Sequence, residues 1–289
     1  MSETRHRIKQ RSLMAEALGR FAHNPLGMLG AFIIVVMVAA CLLAPVFYPE
    51  GYDVQDISQK LQFPSAEHPC GTDNLGRDVL CRLLYGGQTS LVIGAVATLF
   101  ATIFGTLLGA MAGFYGGKVD AVIMRCMDIL SSIPSILLAI AISSSLGGGL
   151  ENAILAISIS FVPPFCRMMR GPVLTVKEQQ YIEAARATDA NDFRIIMKYI
   201  LPNVASQLIV EITMHMAVGI LTSSSLAFIG LGVTPPTPEW GSMISAGRNY
   251  ILKQAYLVTF PGICIALIVL SFNLVGDALR DALDPRLKH

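Results

Sequence analysis

The sequence predicts an all-α integral membrane protein with about six transmembrane helices. Of its 289 residues, 53% are hydrophobic and only 14% are charged, and the mean hydropathy is +0.59. Soluble globular proteins carry about 25% charged residues, so too few charges remain to cover a chain of this length. The apolar residues form runs about as long as the roughly 20 residues that cross a bilayer.

Six apolar segments are predicted to span the membrane, near residues 26–47, 90–115, 121–146, 153–169, 205–231 and 257–279. Pro163 and Pro164 interrupt the fourth segment, which makes it the weakest of the six. Gly105 and Gly109 stand in GxxxG register in the second, a spacing that lets helices approach closely in lipid. The predicted divisions are a segment 1–25, a first span 26–47, a polar segment 48–87, a core domain 88–280 and a tail 281–289.

The distribution of Lys and Arg predicts the orientation of these spans. Basic residues cluster before the first span, between the fourth and fifth spans, and in the tail. Such clusters mark cytoplasmic segments. We therefore expect both termini and the segment 171–202 in the cytoplasm, and the segment 48–87 outside. The first apolar run is too long for the hydrophobic region of a cleaved signal peptide, so we expect it to be retained.

The segment 171–202 predicts two short amphipathic helices with a turn between them. Residues 183–187 are good helix formers. Asp192 is expected to cap the second helix, and Pro202 is expected to open the next span, because proline is tolerated in a first turn. The small alanines would let the backbone of a cytoplasmic partner come close.

This segment resembles the EAA loop of ABC importer permeases. The family pattern is EAA, three residues, Gly, nine residues, Ile, one residue and Leu-Pro. The matching positions here are Glu183, Ala184, Ala185, Asp189 in place of Gly, Ile200 one position late, Leu201 and Pro202. Because Asp enters the left-handed region at tolerable cost, we expect the turn at Asp189 to survive. The resemblance implies that these residues couple the chain to ATPase subunits.

Other blocks resemble the C-type permease of dipeptide, oligopeptide and nickel importers. They are Gly71–Asp78 (GTDNLGRD), Met124–Ile129 with Pro134, Pro235–Gly241 (PPTPEWG) and Phe272–Asp284 with Pro285. The resemblance implies a type I ABC importer permease bundle in the bacterial plasma membrane. Its implied partners are a homologous permease, two ATPase subunits that bind ATP and Mg, and an extracytoplasmic binding protein. This chain is then expected to be no enzyme and to bind no cofactor.

The cargo and the energy source stay open at this point. Dipeptides, longer oligopeptides, glutathione-like peptides and nickel chelates all fit the resemblance. One alternative is a secondary transporter driven by an ion gradient, and another is a channel or scaffold. The chain contains no GxxxxGK[ST] phosphate loop, which favours ATP hydrolysis on a partner. The net charge of +1 does not suggest a nucleic-acid partner.

Two pairs of ionisable residues lie within predicted spans. Glu211 and His215 are four residues apart on one face of the fifth span. Buried ionisable groups in a span tend to face a cavity or one another, so this pair either lines the cargo path or satisfies itself. A single histidine among methionines does not predict a metal site. Arg125 and Asp128, at the start of the third span, are expected to form an internal ion pair.

Residues in the predicted external loops allow several interpretations. Asp73, Arg77 and Asp78 fit a solvated loop, a structural lock or a contact with the binding protein. Trp240 is the only tryptophan and is expected to anchor the chain at the membrane interface. Cys70 and Cys81 could form a disulfide if their segment faces an oxidising side, but the spacing alone says little, so two free thiols are favoured.

Overall fold

The computed structural model describes residues 13–283, and the polypeptide in this range is mainly helical. The helices are α1 (Leu13–Ala22), α2 (Pro25–Leu42), α3 (Ala44–Phe47), α4 (Val79–Tyr115), α5 (Gly117–Ser131), α6 (Ser135–Leu146), α7 (Leu150–Val176), α8 (Gln180–Ala187), α9 (Asp192–Ile195), α10 (Leu201–Phe228), α11 (Trp240–Gly247) and α12 (Tyr256–Leu283). The basic residues before position 13 and the end of the predicted tail, including Pro285, lie outside the described residues.

The predicted number of spans agrees with the helices. The segments that contain α2, α4, α7, α10 and α12 are each long and apolar enough to cross a membrane. Helices α5 and α6 meet the same test together but are bent by 83° at the break between them. They form a sixth span when they are counted as one.

Helix α7 runs without a break through the prolines that made the fourth span the weakest prediction. Pro163, Pro164 and Pro172 all lie inside it. A proline removes one helical hydrogen bond, but within a membrane bundle neighbouring helices and side chains compensate for this loss. The observed helix is accordingly longer than the predicted span at both ends.

The most extensive helix contact in the bundle joins α4 to α7. A Cβ atom at Gly109 would lie 2.3 Å from the carbonyl oxygen of Cys166, and one at Gly113 would lie 2.9 Å from that of Arg170. At Gly105 it would lie 2.5 Å from the Cβ of Phe165. The glycine face predicted for the second span is therefore confirmed as the surface on which two backbones meet.

Each end of this bundle carries additional structure. The end that holds residues 48–78 and α11 is called the α11 end below. The opposite end, where α8 and α9 lie beside the last turns of α4 and α7, is called the α8 end. Because α4 has 37 residues, it extends about 55 Å at 1.5 Å per residue. That length exceeds the roughly 30 Å hydrocarbon core, so one helix reaches both ends.

The close contact between α4 and α7 predicts that one glycine substitution destabilises the protein and another does not. Gly109→Ala places a methyl group against a backbone carbonyl that cannot rotate away, and overpacking typically costs about 1–3 kcal/mol. Gly262→Ala, on α12, meets nothing within 4 Å. Thermal unfolding of the purified protein should show a lower Tm for the first variant only. An unchanged Tm in Gly109→Ala would contradict the packing described here.

Candidate functional site

The pair α8 and α9 packs on the bundle through one face and leaves the other face open. Ile182 is fully buried and Ala185 is 6% exposed. Both belong to a cluster with Ile195, Ile200 and residues of α4 and α7. Glu183 and Ala184 are exposed. Neighbouring residues on a helix point about 100° apart, so the two alanines of the EAA motif have different surroundings.

The turn between the two helices has the geometry that the sequence predicts. Asp189 has a φ angle of +59°, in the left-handed region that Asp tolerates. The N–H of Ala190 donates to the carbonyl of Ala185 at 3.2 Å. The predicted cap is wrong by one residue, because Asn191 rather than Asp192 accepts the N–H of Arg194, at 2.8 Å. An Asn side chain serves this position as well as Asp does.

A π-helical turn, Ile196–Ile200, connects α9 directly to α10. The N–H of Leu201 donates to the carbonyl of Ile196, five residues earlier. Pro202 follows in the first turn of α10, which confirms its predicted position. Because a proline ring crowds the preceding turn and lacks a donor, a wider turn at this place accommodates it.

Two cationic side chains attach residues 177–187, called the α8 segment below, to the end of α4. The guanidinium of Arg186 lies over the ring of Phe114, 5.1 Å from its centroid. Lys177 Nζ donates to the carbonyl oxygen of Gly113 at 2.8 Å. The last carbonyls of a helix lack partners within it and attract cations. The exposed face of α8 is therefore held at a defined position beneath the bundle.

Ion pairs join α5 to α7, and one of them corrects a prediction. Asp128 pairs with Arg167 at 2.9 Å, not with Arg125. Asp120 receives two hydrogen bonds from Arg170, at 2.5 and 2.6 Å. Arg125 and Asp128 are close in sequence, but an arginine on the facing helix reaches the carboxylate instead. A partner 39 residues away leaves no local pattern.

Glu211 and His215 are close to each other in α10, as the sequence predicts. His215 Nδ1 lies 3.3 Å from the carboxylate oxygen Oε1 of Glu211. The imidazole also lies between two aromatic rings of α7, with centroid distances of 5.0 Å to Phe161 and 4.6 Å to Phe165. This geometry supports a pair that satisfies itself. A role in lining the cargo path stays a prediction.

The GTDNLGRD block at the α11 end is a compact turn rather than a solvated loop. The carboxylate of Asp73 accepts the N–H groups of Leu75 and Arg77, at 2.8 and 3.0 Å. Arg77 Nε donates back to Asp73 at 2.7 Å. Gly76 has a φ of +74°, and a Cβ there would lie 1.7 Å from the carbonyl of Asp56. The structural-lock interpretation is thus supported.

Asp78 connects this turn to α4. Its Oδ1 accepts the N–H of Cys81 at 2.7 Å and so caps the helix. Its Oδ2 lies 2.8 Å from His68 Nδ1. Cys70 and Cys81 are both free thiols, which agrees with the favoured alternative.

Trp240 does not anchor the chain at the membrane interface, and that prediction is wrong. The residue is 1% exposed, and its Nε1 donates to the carbonyl oxygen of Leu83 at 2.9 Å. A Cβ at Gly87 would lie 2.7 Å from the indole ring. Helix α11 therefore folds back onto α4, and glycine on α4 makes room for it.

Glu239, which the sequence analysis did not single out, is fully buried beside Trp240. Its carboxylate accepts hydrogen bonds from Ser90 on α4 at 3.2 Å, Ser224 on α10 at 3.4 Å and the N–H of Ser242 on α11 at 2.8 Å. No cation of the described residues pairs with it. Burial raises its pKa above the ordinary value. Its signals in the sequence are its place in the PPTPEWG block and its position one residue before a short helix.

The bundle, with a docked helix pair at one end, has the architecture of a membrane transport subunit. The chain belongs to the family described as binding-protein-dependent transport system inner membrane components, whose model matches residues 105–289. A model of the N-terminal transmembrane domain of oligopeptide transport permease C matches residues 12–64. The protein is a multi-pass permease subunit of a bacterial ABC importer.

Characterised relatives and a solved structure agree with this assignment. The chain is 44% identical over 273 residues to the dipeptide transport system permease protein DppC of Alkalihalophilus pseudofirmus, with 94% of this chain and 90% of that protein covered. It is 41% identical over 272 residues to the glutathione transport system permease protein GsiD of Escherichia coli, with 93% and 89% covered. A chain of the MetNI methionine ABC transporter, in an inward-facing conformation, matches with a TM-score of 0.58 and 21% identity over 70% of this chain and 96% of that chain. The last likeness shows the type I importer fold.

The buried carboxylate of Glu239 predicts a pH-dependent stability. Because its folded-state pKa is raised, its contribution favours the folded protein at low pH and is lost as the pH rises through that pKa. Glu239→Gln keeps the shape and removes the charge. Between about pH 5 and about pH 8, the Tm of the unmodified protein should fall relative to that of the variant. Parallel curves would contradict this expectation, and Glu183→Gln, at an exposed site, is the control.

Proposed function

We propose that this permease and a homologous permease together form a path through which short peptides enter the cell. Two ATPase subunits drive transport from the cytoplasmic side, and an extracytoplasmic binding protein delivers the cargo. The observation that carries the proposal is the α8 segment. One face is fixed to α4 and α7, and the other presents Tyr181, Glu183, Ala184 and Ala187 as a shallow surface for a partner.

The relatives support peptide cargo. One is a permease of a dipeptide transport system and the other of a glutathione transport system, and glutathione is itself a short peptide. Nickel chelates are not favoured by these names. An ion-driven secondary transporter has no need for a docked segment of this kind, and neither has a passive channel.

The orientation is part of the same proposal. The Lys and Arg bias supports an orientation with the α8 end and both termini in the cytoplasm and the α11 end outside. ATP and Mg are then bound by the ATPase partners at the α8 end, and this chain hydrolyses nothing.

The two faces of α8 predict different effects for neighbouring substitutions. Ala184→Trp adds bulk on the exposed face, and an overpacked contact that costs about 1–3 kcal/mol weakens ATPase binding about five- to a hundredfold. Ala185→Trp adds the same bulk inside the chain's own core, so it should lower the stability of the permease itself. Glu183→Ala removes at most an exposed charge and should be mild.

Copurification of the ATPases and binding-protein-stimulated ATP turnover measure these effects. Ala184→Trp should reduce ATPase copurification, stimulated ATP turnover or both, while the permease pair remains folded. Full retention of both in Ala184→Trp would mean that α8 is only a connector.

Cysteine labelling in intact cells tests the orientation. The exposed Cys126 and the part-exposed Cys70 and Cys264 are first replaced by serine. We expect Ala66→Cys, in the exposed part of the 48–87 segment, to react with an impermeant maleimide because it lies outside. Glu178→Cys, just before α8, should react only after the cells are opened. The reverse pattern would refute the proposed topology.

A further inference from the structure

Three buried threonine hydroxyls on α4 have no hydrogen-bond partner among the residues that the structure describes. They belong to Thr98, Thr102 and Thr106, called the threonine row below, and each residue is at most 8% exposed. A threonine within a helix can donate to the carbonyl four residues earlier, and Thr222 on α10 does so at 2.8 Å. Because a buried hydroxyl without a partner is costly, the threonine row is unfavourable in this conformation.

The threonine row lies on the face of α4 that packs against α10. Residues four apart share one helix face, and the row continues to Gly94 before it and to Ala110 after it. A Cβ atom at Gly94 would lie 2.7 Å from Ile220 Cγ1 and 3.4 Å from the carbonyl oxygen of Met216. Ala110 belongs to one buried cluster with Val204. The row therefore follows α10 from its later residues to its earlier ones.

Helix α10 presents an apolar row to these hydroxyls and carries a polar row beside it. The row between Val204 and Ile220 continues through three apolar residues, Leu208, Ile212 and Met216. The residue before each of these is polar, and the three form the polar row: Gln207, Glu211 and His215. Neighbouring residues on a helix point about 100° apart, so a turn of α10 by one residue would bring the polar row to the threonine row.

The π-helical turn Ile196–Ile200 contains the extra residue that such a change requires. A π-helical turn holds one residue more than an α-helical turn. If this turn became α-helical, each residue after it would take the place now held by the residue that follows, so Glu211 would occupy the place of Ile212. Pro202 favours the wider turn, whereas the unpaired hydroxyls disfavour the register that this turn imposes. These opposing preferences are what an element with two conformations needs.

The part of α10 that would turn is also its least packed part. No residue from 205 to 216 is buried, whereas Val204 before this stretch and Gly219 and Ile220 after it are buried. Gly219 lies inside the helix at the boundary, and glycine lowers the stability of a helix interior. An extra residue is therefore accommodated most easily near Gly219, and the last turns of α10 then keep their contact with Glu239.

We propose that α10 has a second register, in which the extra residue moves from the π-helical turn to the region of Gly219 and the middle of the helix turns by one residue. The polar row then forms hydrogen bonds with the threonine row, with Glu211 opposite Thr102. The inference rests on the proposed function, because an ATP-driven importer opens its path to one side at a time and needs two conformations. The π-helical turn lies between the α8 segment and the middle of α10, so ATPase movement reaches this helix directly.

The first test removes the three hydroxyls from the whole transporter, assembled in lipid nanodiscs. Thr98→Val/Thr102→Val/Thr106→Val keeps the shapes and removes groups that are unpaired here but paired in the second register. We expect the Tm to rise by about 2 °C or more, while ATP turnover stimulated by the loaded binding protein falls about tenfold or more. Thr222→Val removes a hydroxyl bonded within its own helix, so it should not raise the Tm and should change turnover less than about twofold.

The second test detects the two registers by disulfide cross-linking, with the linked peptides identified by mass spectrometry. Thr102→Cys/Ile212→Cys should cross-link in the register described here. Thr102→Cys/Glu211→Cys should cross-link only in the second register. We expect the yields of the two pairs to change in opposite directions when the transporter passes from its nucleotide-free state to its vanadate-trapped state.

Each outcome decides the inference. Absence of the Glu211 cross-link in both states overturns it, and so does normal stimulated turnover in the triple variant. A lower Tm of the triple variant also overturns it, because the hydroxyls would then be paired in this conformation. If the triple variant does not assemble, the two cysteine pairs decide alone. If even the unmodified transporter does not respond to its binding protein, the proposed function itself fails, and the cross-links still decide whether the second register exists.

Discussion

The backbone contact between α4 and α7 is the constraint on which the rest of the structure depends. Gly105, Gly109 and Gly113 on α4 leave out Cβ atoms that would clash with α7. In lipid, apolar side chains gain no hydrophobic free energy by packing on one another, because the surrounding hydrocarbon is equally apolar. Close van der Waals packing must therefore hold the helices together. The two helices therefore pack backbone to backbone along this face. The α8 end and the α11 end are both attached to this helix pair, because α4 contacts α8 at Phe114 and α11 at Gly87.

Polar groups add specificity to this packing. Helix α5 has a single buried residue, Met127, so apolar contact alone would leave its position poorly defined. The pairs of Asp120 with Arg170 and Asp128 with Arg167 set its position along α7. A charge within a membrane protein is costly unless it is paired. These pairs therefore add to the apolar contacts that hold α5 against α7.

The features that were predicted correctly depend on residues close together in the sequence. The spans follow from runs of apolar residues, and the turn at Asp189 follows from the few residue types that enter the left-handed region. The burial of Trp240 could not be predicted in this way, because it depends on Leu83 and Gly87, about 150 residues earlier in the chain. The same holds for Glu239, whose serine partners come from α4 and α10. Arg125 was predicted to pair with Asp128 because both lie on α5, whereas the observed partner of Asp128, Arg167, lies on α7.

The contacts at the α8 end suggest how motion of a partner would reach the far side of the membrane. Helix α8 is not suspended on flexible loops: Arg186 and Lys177 hold it to the last turn of α4, and Ile182 is buried among α4 and α7 side chains. A displacement of α8 would therefore displace the end of α4 as well. Because α4 and α7 cannot separate without losing their backbone contact, the movement would continue along the pair. At the other end it would reach α11, which is packed on α4 at Gly87 and connected to α10 through Glu239.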